Sequence, residues 1–443
     1  MSQTVVPAPV FIRSGPEAAP PPNRIQAAGQ ALRASFAGSP GRLRLIALGA
    51  VLSVVISALL GGWALQMRSS ALDRAKASSE HLLRLQSVQT KLVEANAAAT
   101  NSFLGDGLEP QEQRLDYITA LRDASSELAL ASRYSQDDAE TLGRANALLT
   151  RYAGYISSAR ANNRQGNTVG ASYLQSASTL LRGETQEGRE SEGIVPLLQA
   201  RADASAQVQD DAFAQSENAR WLLLVAAVIG IGGLGYAQLL VTRHSHRYVN
   251  IPAAVSTVGL VAVLASAAVV MSSAQSEASD VRFGPLERAT ELSDSRVAAF
   301  DAKAQESLTL IDRGSATDAD EDWQDAYTEA VGSLDGLDYP DAKSALEQYG
   351  TAHEEVNDLD LRGQWDDAVD QAISSGEGSG NALFQSYDDQ TRLSLDKQRT
   401  VALDRLGAAN DSLLLIALLL LVIGVLCAAG AWWGISLRLD EYR

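Results

Sequence analysis

The chain has 443 residues, 46% apolar and 20% charged, with 54 Asp and Glu against 36 Lys and Arg. That apolar share excludes intrinsic disorder for most of the length, and a single cysteine, Cys427, excludes a disulfide framework or a cysteine-based zinc site. The net charge of −18, with no basic stripe, excludes nucleic acid as a partner.

Residues 1–44 are rich in Pro and Ala and carry Arg13, Arg24, Arg33, Arg42 and Arg44 against Glu17 alone. They sustain no apolar period and are read as a disordered basic tail. Residues 45–65 then form the first of four blocks without an ionisable side chain. The others are 221–241, 251–271 and 413–435, and each has 21 to 23 residues. About 20 such residues cross a hydrocarbon core, so all four are predicted transmembrane helices. Trp63, Trp221, Trp432 and Trp433 stand at block ends, where amphipathic rings favour the lipid–water boundary. The first block is too long for a signal h-region and no small-x-small cleavage site follows, so it is read as an uncleaved anchor. The basic tail and the hairpin 242–250, with Arg243 and Arg247 and no acid, are placed in the cytoplasm by the positive-inside rule. Loops 66–220 and 272–412 then lie outside a plasma membrane, and 436–443 ends inside.

Both loops read as helical. Leu85, Val88, Leu92, Ala95 and Ala99 fall at three-four spacing, the seam of a long helix continuing the first span. Gly105-Asp106-Gly107 with Pro110, Ser135 as a candidate N-cap, Gly166 and the polar run 183–193 divide the first loop into about four helices. Gly314, Pro340, Gly363 and the run 376–380 punctuate the second loop likewise. A shift of 197 residues lays Ala145, Leu149, Tyr152, Gly166, Ala171 and Ser178 on Ala342, Leu346, Tyr349, Gly363, Ala368 and Ser375. The expected fold is an all-α membrane protein: four transmembrane helices with two extracytoplasmic antiparallel four-helix bundles in tandem repeat.

The spans lack the polar groups of a transport pathway but hold small-residue stripes, Ala226-Gly230-Gly233-Ala237 and Gly430/Gly434, that let helices approach closely. No hydrolase elbow, P-loop, Rossmann glycine set or kinase signature occurs. The protein is therefore expected not to be an enzyme, with no catalytic, cofactor-binding or metal-ligating residue and no cofactor. His244 and His246, beside Arg243 and Arg247, are read as contacts to membrane lipid. Residues 272–412 hold 31 acids and 11 bases, against 20 and 16 in residues 66–220. Such an acidic face is solvated or selects a basic partner. Asp318, Asp320, Asp322 and Glu329 follow a calcium-loop frame, but Trp323 stands where that frame needs Gly, and an acid-rich helix start explains them equally. Candidate ligand or partner residues are Arg151, Arg160 and Arg164, whose guanidinium groups suit a carboxylate, with Tyr152 and Gly166. In the second loop they are Tyr349, Arg362, Gly363 and Trp365.

A span, an outer bundle and a span, with a Gly-x-x-x-x-Ala step in each bundle (Gly166/Ala171 and Gly363/Ala368), resembles the sensor half of bacterial chemoreceptors and histidine kinases. No HAMP-like linker, methyl-accepting hairpin or kinase follows the second span. The whole plan, with its basic tail, two modules and little cytoplasmic mass, is similar to the actinobacterial GlnX-type membrane proteins, and the Ala-rich, Arg-over-Lys composition fits a high-GC actinobacterium. That resemblance implies a relay between an extracytoplasmic solute-binding lipoprotein that senses acidic amino acids and a soluble cytoplasmic Ser/Thr protein kinase or adaptor. It carries no functional residue across. A second copy of the chain, forming a homodimer, is a further expected partner. The alternatives are a direct small-molecule chemosensor and a scaffold or assembly factor of the cell envelope.

Overall fold

The computed structural model describes residues 39–105, 111–134, 136–183, 185–186, 189–190, 193–245, 251–313 and 318–440. Most of the basic tail, Asp106, Gly107, Pro110, Ser135, His246, Arg247 and Gly314 lie outside the described residues. The helices are α1 Ser39–Leu104, α2 Gln111–Ala131, α3 Gln136–Asn163, α4 Val169–Arg182, α5 Ile194–Ser245, α6 Ile251–Val281, α7 Glu287–Asp312, α8 Asp318–Gly332, α9 Pro340–Leu361, α10 Trp365–Ile373 and α11 Gly380–Asp440. A two-residue antiparallel ladder pairs Thr185–Gln186 with Arg189–Glu190.

Local chemistry accounts for several boundaries. Pro285 has no N–H to give the ladder, and α6 passes into α7 through a π-helical turn, Arg282–Leu286, in which Phe283 leaves helical geometry (φ −90°, ψ 15°). Pro340 opens α9, where a missing N–H costs nothing. Gly166 and Gly363 follow α3 and α9 at φ 70° and 76°. Each donates its N–H to the carbonyl three residues back, at 2.9 and 2.8 Å, and the next N–H reaches five residues back, at 3.0 and 2.9 Å. This is the two-bond cap that a left-handed residue permits.

Among the described residues, four helical stretches are long and apolar enough to cross a membrane: Arg44–Leu104, Ile194–Arg243, Ile251–Asp312 and Gly380–Ser436. They contain the four predicted spans. The described residues divide into two compact units, one within residues 39–60, 225–264 and 421–440 and the other within residues 61–224 and 265–420.

In the first unit the helices meet through small residues, as the stripes predict. Ser57 Oγ donates to the Ala226 carbonyl at 2.7 Å. A Cβ on Gly230 would fall 2.5 Å from Ser57 Oγ, and one on Gly233 would fall 2.3 Å from Ser53. Gly424 meets Ala58 and Gly430 meets Ser256 in the same way. Cys427 is buried, whereas Leu52, Val228, Val258 and Leu426 are at least half exposed, the apolar exterior a lipid-facing bundle needs.

The larger hydrophobic cluster of the second unit draws on both loops, and a smaller one gathers Leu104, Leu310, Val356 and Ala368. The larger joins Leu85 and Leu92 of α1, Tyr152 of α3 and Leu174 of α4 to Leu292 and Phe300 of α7, Trp323 of α8, Tyr349 of α9 and Tyr387 of α11. The expected pair of extracytoplasmic antiparallel four-helix bundles in tandem is not confirmed by this arrangement. Among the described residues the first loop holds segments of α1 to α5 and the second segments of α6 to α11, the glycine caps separating α3 from α4 and α9 from α10, and buried residues of both loops belong to one cluster. The predicted seam Leu85, Val88, Leu92, Ala95 and Ala99 is buried throughout. The pairs Ala145/Ala342, Leu149/Leu346 and Tyr152/Tyr349 are buried in both loops. Ser178 and Ser375 differ: the first is buried in α4 and the second is exposed beyond the end of α10.

Candidate functional site

The two loops meet where α1 lies against α7, and their contact there is polar. Thr90 Oγ1 and Ser293 Oγ are 3.5 Å apart, and Gln86 Nε2 donates to Asp294 Oδ1 at 3.3 Å. The seven-residue spacing of Gln86 and Val93 on α1, and of Asp294 and Asp301 on α7, keeps each pair on one helix face. Beside this seam opens a cleft of about 550 Å³ walled by α1, α4, α5, α7 and α8.

Its charged groups are Asp294, Asp301 and Glu329 against Arg182. Arg182 ends α4, where a cation faces the negative end of the helix. It bridges the two loops, with Nη1 2.9 Å from Asp322 and Nε 4.0 Å from Asp301. Gln89 Nε2 donates to Gln199 Oε1 at 2.8 Å on the opposite wall. Burial, reinforced by the charges of Glu291, Glu329 and Asp203 and opposed by the Gln86 hydrogen bond, pushes Asp294 up to about 6. Burial also raises Asp301, although Arg182 and Gln305 oppose it. The cleft therefore offers acceptor oxygens to a cationic or amphoteric group and carries a carboxyl poised to change charge near neutral pH.

The residues singled out in the sequence are distributed over several places. Arg151 donates to its own helix neighbour, the Tyr155 hydroxyl, at 2.8 Å. The Arg160 guanidinium lies over the Tyr117 ring at 4.1 Å, and Arg164 is exposed near the end of α3. The three arginines thus address different surroundings. Tyr152 and Tyr349 are core residues, and Gly166 and Gly363 are the caps described above. Arg362 is exposed and pairs with Asp358. Trp365 closes the end of α7: its Nε1 donates to the Leu310 carbonyl at 2.7 Å, and the Arg313 guanidinium stands over its ring at 4.4 Å. The acids of the calcium-like frame belong to α8, where Asp322 faces Arg182 and Asp320 lies 3.6 Å from His353 Nε2.

Two buried polar clusters escaped the sequence reading. In one, His81 stacks on Tyr134 at 4.1 Å and faces Asp138, which also binds Arg201. Burial lowers the His81 pKa, with Arg201 and Arg84 adding to the effect and Asp138 opposing it. In the other, Glu306 meets Lys303 at 2.6 Å and His353 Nδ1 at 2.9 Å. The available signal was the register: His81 precedes Leu85 by four residues and His353 follows Tyr349 by four, so each extends a buried stripe.

Residues 71–217, about a third of the chain, match the family model of the actinobacterial sensor domain. This match supports an actinobacterial sensor protein with a sensing role, and it covers most of the first loop. No curated protein and no solved structure matches the chain.

Proposed function

We propose that this chain, with its match to a sensor domain, is a non-enzymatic transmembrane sensor or adaptor of the plasma membrane. In this reading residues 66–220 and 272–412 are duplicated extracytoplasmic modules, and residues 1–44, 242–250 and 436–443 form the cytoplasmic face. The modules report amino-acid status, brought by a solute-binding lipoprotein, to a cytoplasmic Ser/Thr kinase or its adaptor. The amino-acid and kinase parts rest on the resemblance to GlnX-type proteins.

The observation that supports sensing is the α1–α7 seam. Two modules with a common core meet there through a few polar contacts beside a 550 Å³ cleft, and both helices belong to stretches long and apolar enough to cross a membrane. A partner that binds one arrangement of α1 against α7 more tightly shifts the population towards it, and a small shift of packed helices is an established kind of switch. The acidic wall of the cleft suits a basic surface on such a partner. Direct chemosensing is the second reading, because the cleft falls within the size range of small-molecule sites.

Crosslinking in native membranes followed by mass spectrometry tests the relay. Recovery of a solute-binding lipoprotein and a kinase supports it, whereas recovery of the protein alone, or of envelope-assembly factors, counts against it. Deleting residues 1–40 and altering residues 242–250 should abolish signalling while insertion persists. A rise in melting temperature of the full-length protein with a free amino acid would favour direct sensing.

A further inference from the structure

A second aperture, of about 140 Å³, flanks the same seam between α1, α7 and α11. Its bases are Lys91, Arg296, Arg392 and Arg399, and its one acid is Asp396. This charge runs against the surroundings. Residues 272–412 hold 31 acids and only 11 bases, yet three of those bases line this one pocket, while the larger cleft is acidic.

The bases differ in how firmly they are held. Arg296 is fully buried and fixed by Asp388 at 2.6 Å and Thr391 at 2.9 Å, so it forms a wall whose charge is already met. Lys91 pairs with Glu94 and Arg392 with Asp389, each at 2.7 Å. The first pair is about a quarter exposed and the second about half, and each is a solvent-screened pair of neighbours on one helix that contributes little, so either base can turn to a ligand. Arg399 is half-buried and has no ion-pair or hydrogen-bond partner for its guanidinium among the described residues.

An independent observation points to the ligand. Gln86 lines the pocket and is 3% exposed. Its Nε2 is committed to Asp294, but its Oε1 is buried without a donor. A buried acceptor without a donor is costly, and the bases around it cannot be neutralised by a ligand that brings donors alone. An anion that also carries a proton satisfies both demands. We infer that the pocket between α1, α7 and α11 binds a small protonated oxyanion, of which hydrogen phosphate is the simplest, with Arg399, Lys91 and Arg392 on its oxygens and its O–H donated to Gln86 Oε1. This inference stands apart from the relay, because binding is read directly and needs no partner.

The test is titration of the full-length protein in zwitterionic nanodiscs with inorganic phosphate at pH 7 and constant ionic strength, followed by calorimetry and by melting temperature. Saturable binding is expected, with weaker binding of sulfate, which has no proton to give Gln86. Arg399→Gln should weaken phosphate binding at least about tenfold, the equivalent of one charge-assisted hydrogen bond. Arg399→Lys should restore part of it, and Arg122→Gln, which removes an exposed arginine of α2, should bind as the unaltered protein does. Unchanged affinity in Arg399→Gln, an equal response to sulfate, or stabilisation only in nanodiscs of anionic lipid would each overturn the assignment. A lipid phosphodiester has no proton to donate, so the last outcome identifies a headgroup contact instead.

Discussion

Tyr152 and Tyr349 occupy corresponding places, each 14 residues before a capping glycine and each fully buried, yet their surroundings differ in kind. The Tyr152 hydroxyl donates to Asn96 Oδ1 at 3.3 Å, and the same oxygen accepts from Ser178 Oγ at 3.1 Å. That centre is neutral. The Tyr349 hydroxyl accepts from Trp323 Nε1 at 3.3 Å beside the Lys303–Glu306–His353 cluster, in which the Trp323 ring covers His353 at 3.6 Å. Burial alone would raise Glu306, but Lys303 and the hydrogen bond and charge of His353 more than reverse this and hold it down to about 2. One helical frame thus tolerates a neutral or an ionic centre, and the ionic one depends on every member, because a buried charge without its counterion is far costlier than a lost neutral hydrogen bond.

The sharpest way to break that comparison is to neutralise the anion. Glu306→Gln leaves the Lys303 ammonium buried beside a neutral amide and should cost about 3–5 kcal/mol of stability, read as the melting temperature of full-length protein in nanodiscs. The pH dependence fixes the sign. The folded pKa of Glu306 lies below its ordinary value of 4.5, so its stabilisation is present above that value and is lost as the pH falls towards 2. The Glu306→Gln protein should lack that component of acid destabilisation.

A smaller effect of opposite sign is expected where the two loops touch. Asp294 titrates near 6 instead of 3.8, so its ionised form is disfavoured in the folded state, and folding gains as the pH falls from 6 towards 3.8. Asp294→Asn keeps an acceptor for Gln86 and removes the charge. It should raise stability by about 3 kcal/mol above pH 7 and by nothing below pH 4, a difference visible in paired melts across that range. No gain at high pH would mean that solvent already relieves the charge.

The neutral centre should respond less than Glu306 does. Asn96→Ala leaves the Tyr152 and Ser178 hydroxyls without their acceptor, at a cost of about 1–3 kcal/mol. If chemical unfolding shows a loss as large as that of Glu306→Gln, the distinction between the two centres fails.

What the sequence displayed and what it concealed follow the same division. The four membrane-length apolar helices were legible because crossing a hydrocarbon core demands about 20 successive apolar residues, and the Leu85–Ala99 face was legible because a buried stripe repeats at helical spacing. The capping glycines were visible in the 197-residue shift. The shared core was not, since Gln86 meets Asp294 across 208 positions and no local period reports which helix a face will meet. Lys303, Glu306 and His353 look like any solvated helix charges until Trp323 and Tyr349 enclose them. Conversely, Arg151 and Arg160 on α3 and Arg164 just past its end look like a cluster, but nearby aromatic rings hold the first two in separate places.

The smallest effect is also the control. Gly166 and Gly363 have φ of 70° and 76°, and a Cβ at either would meet nothing within 4 Å. Alanine there meets no packing obstacle, and the cost is that of placing an L-residue in the left-handed region, about 1 kcal/mol. That cost should be the same for Gly166→Ala and Gly363→Ala, because the two caps share their pattern of hydrogen bonds. Equal losses in parallel melts would locate the difference between the loops in the chemistry around Asn96 and Glu306. If one substitution costs several times the other, the backbones already diverge at the cap, and the unequal response of the two centres has a second source beyond their charge.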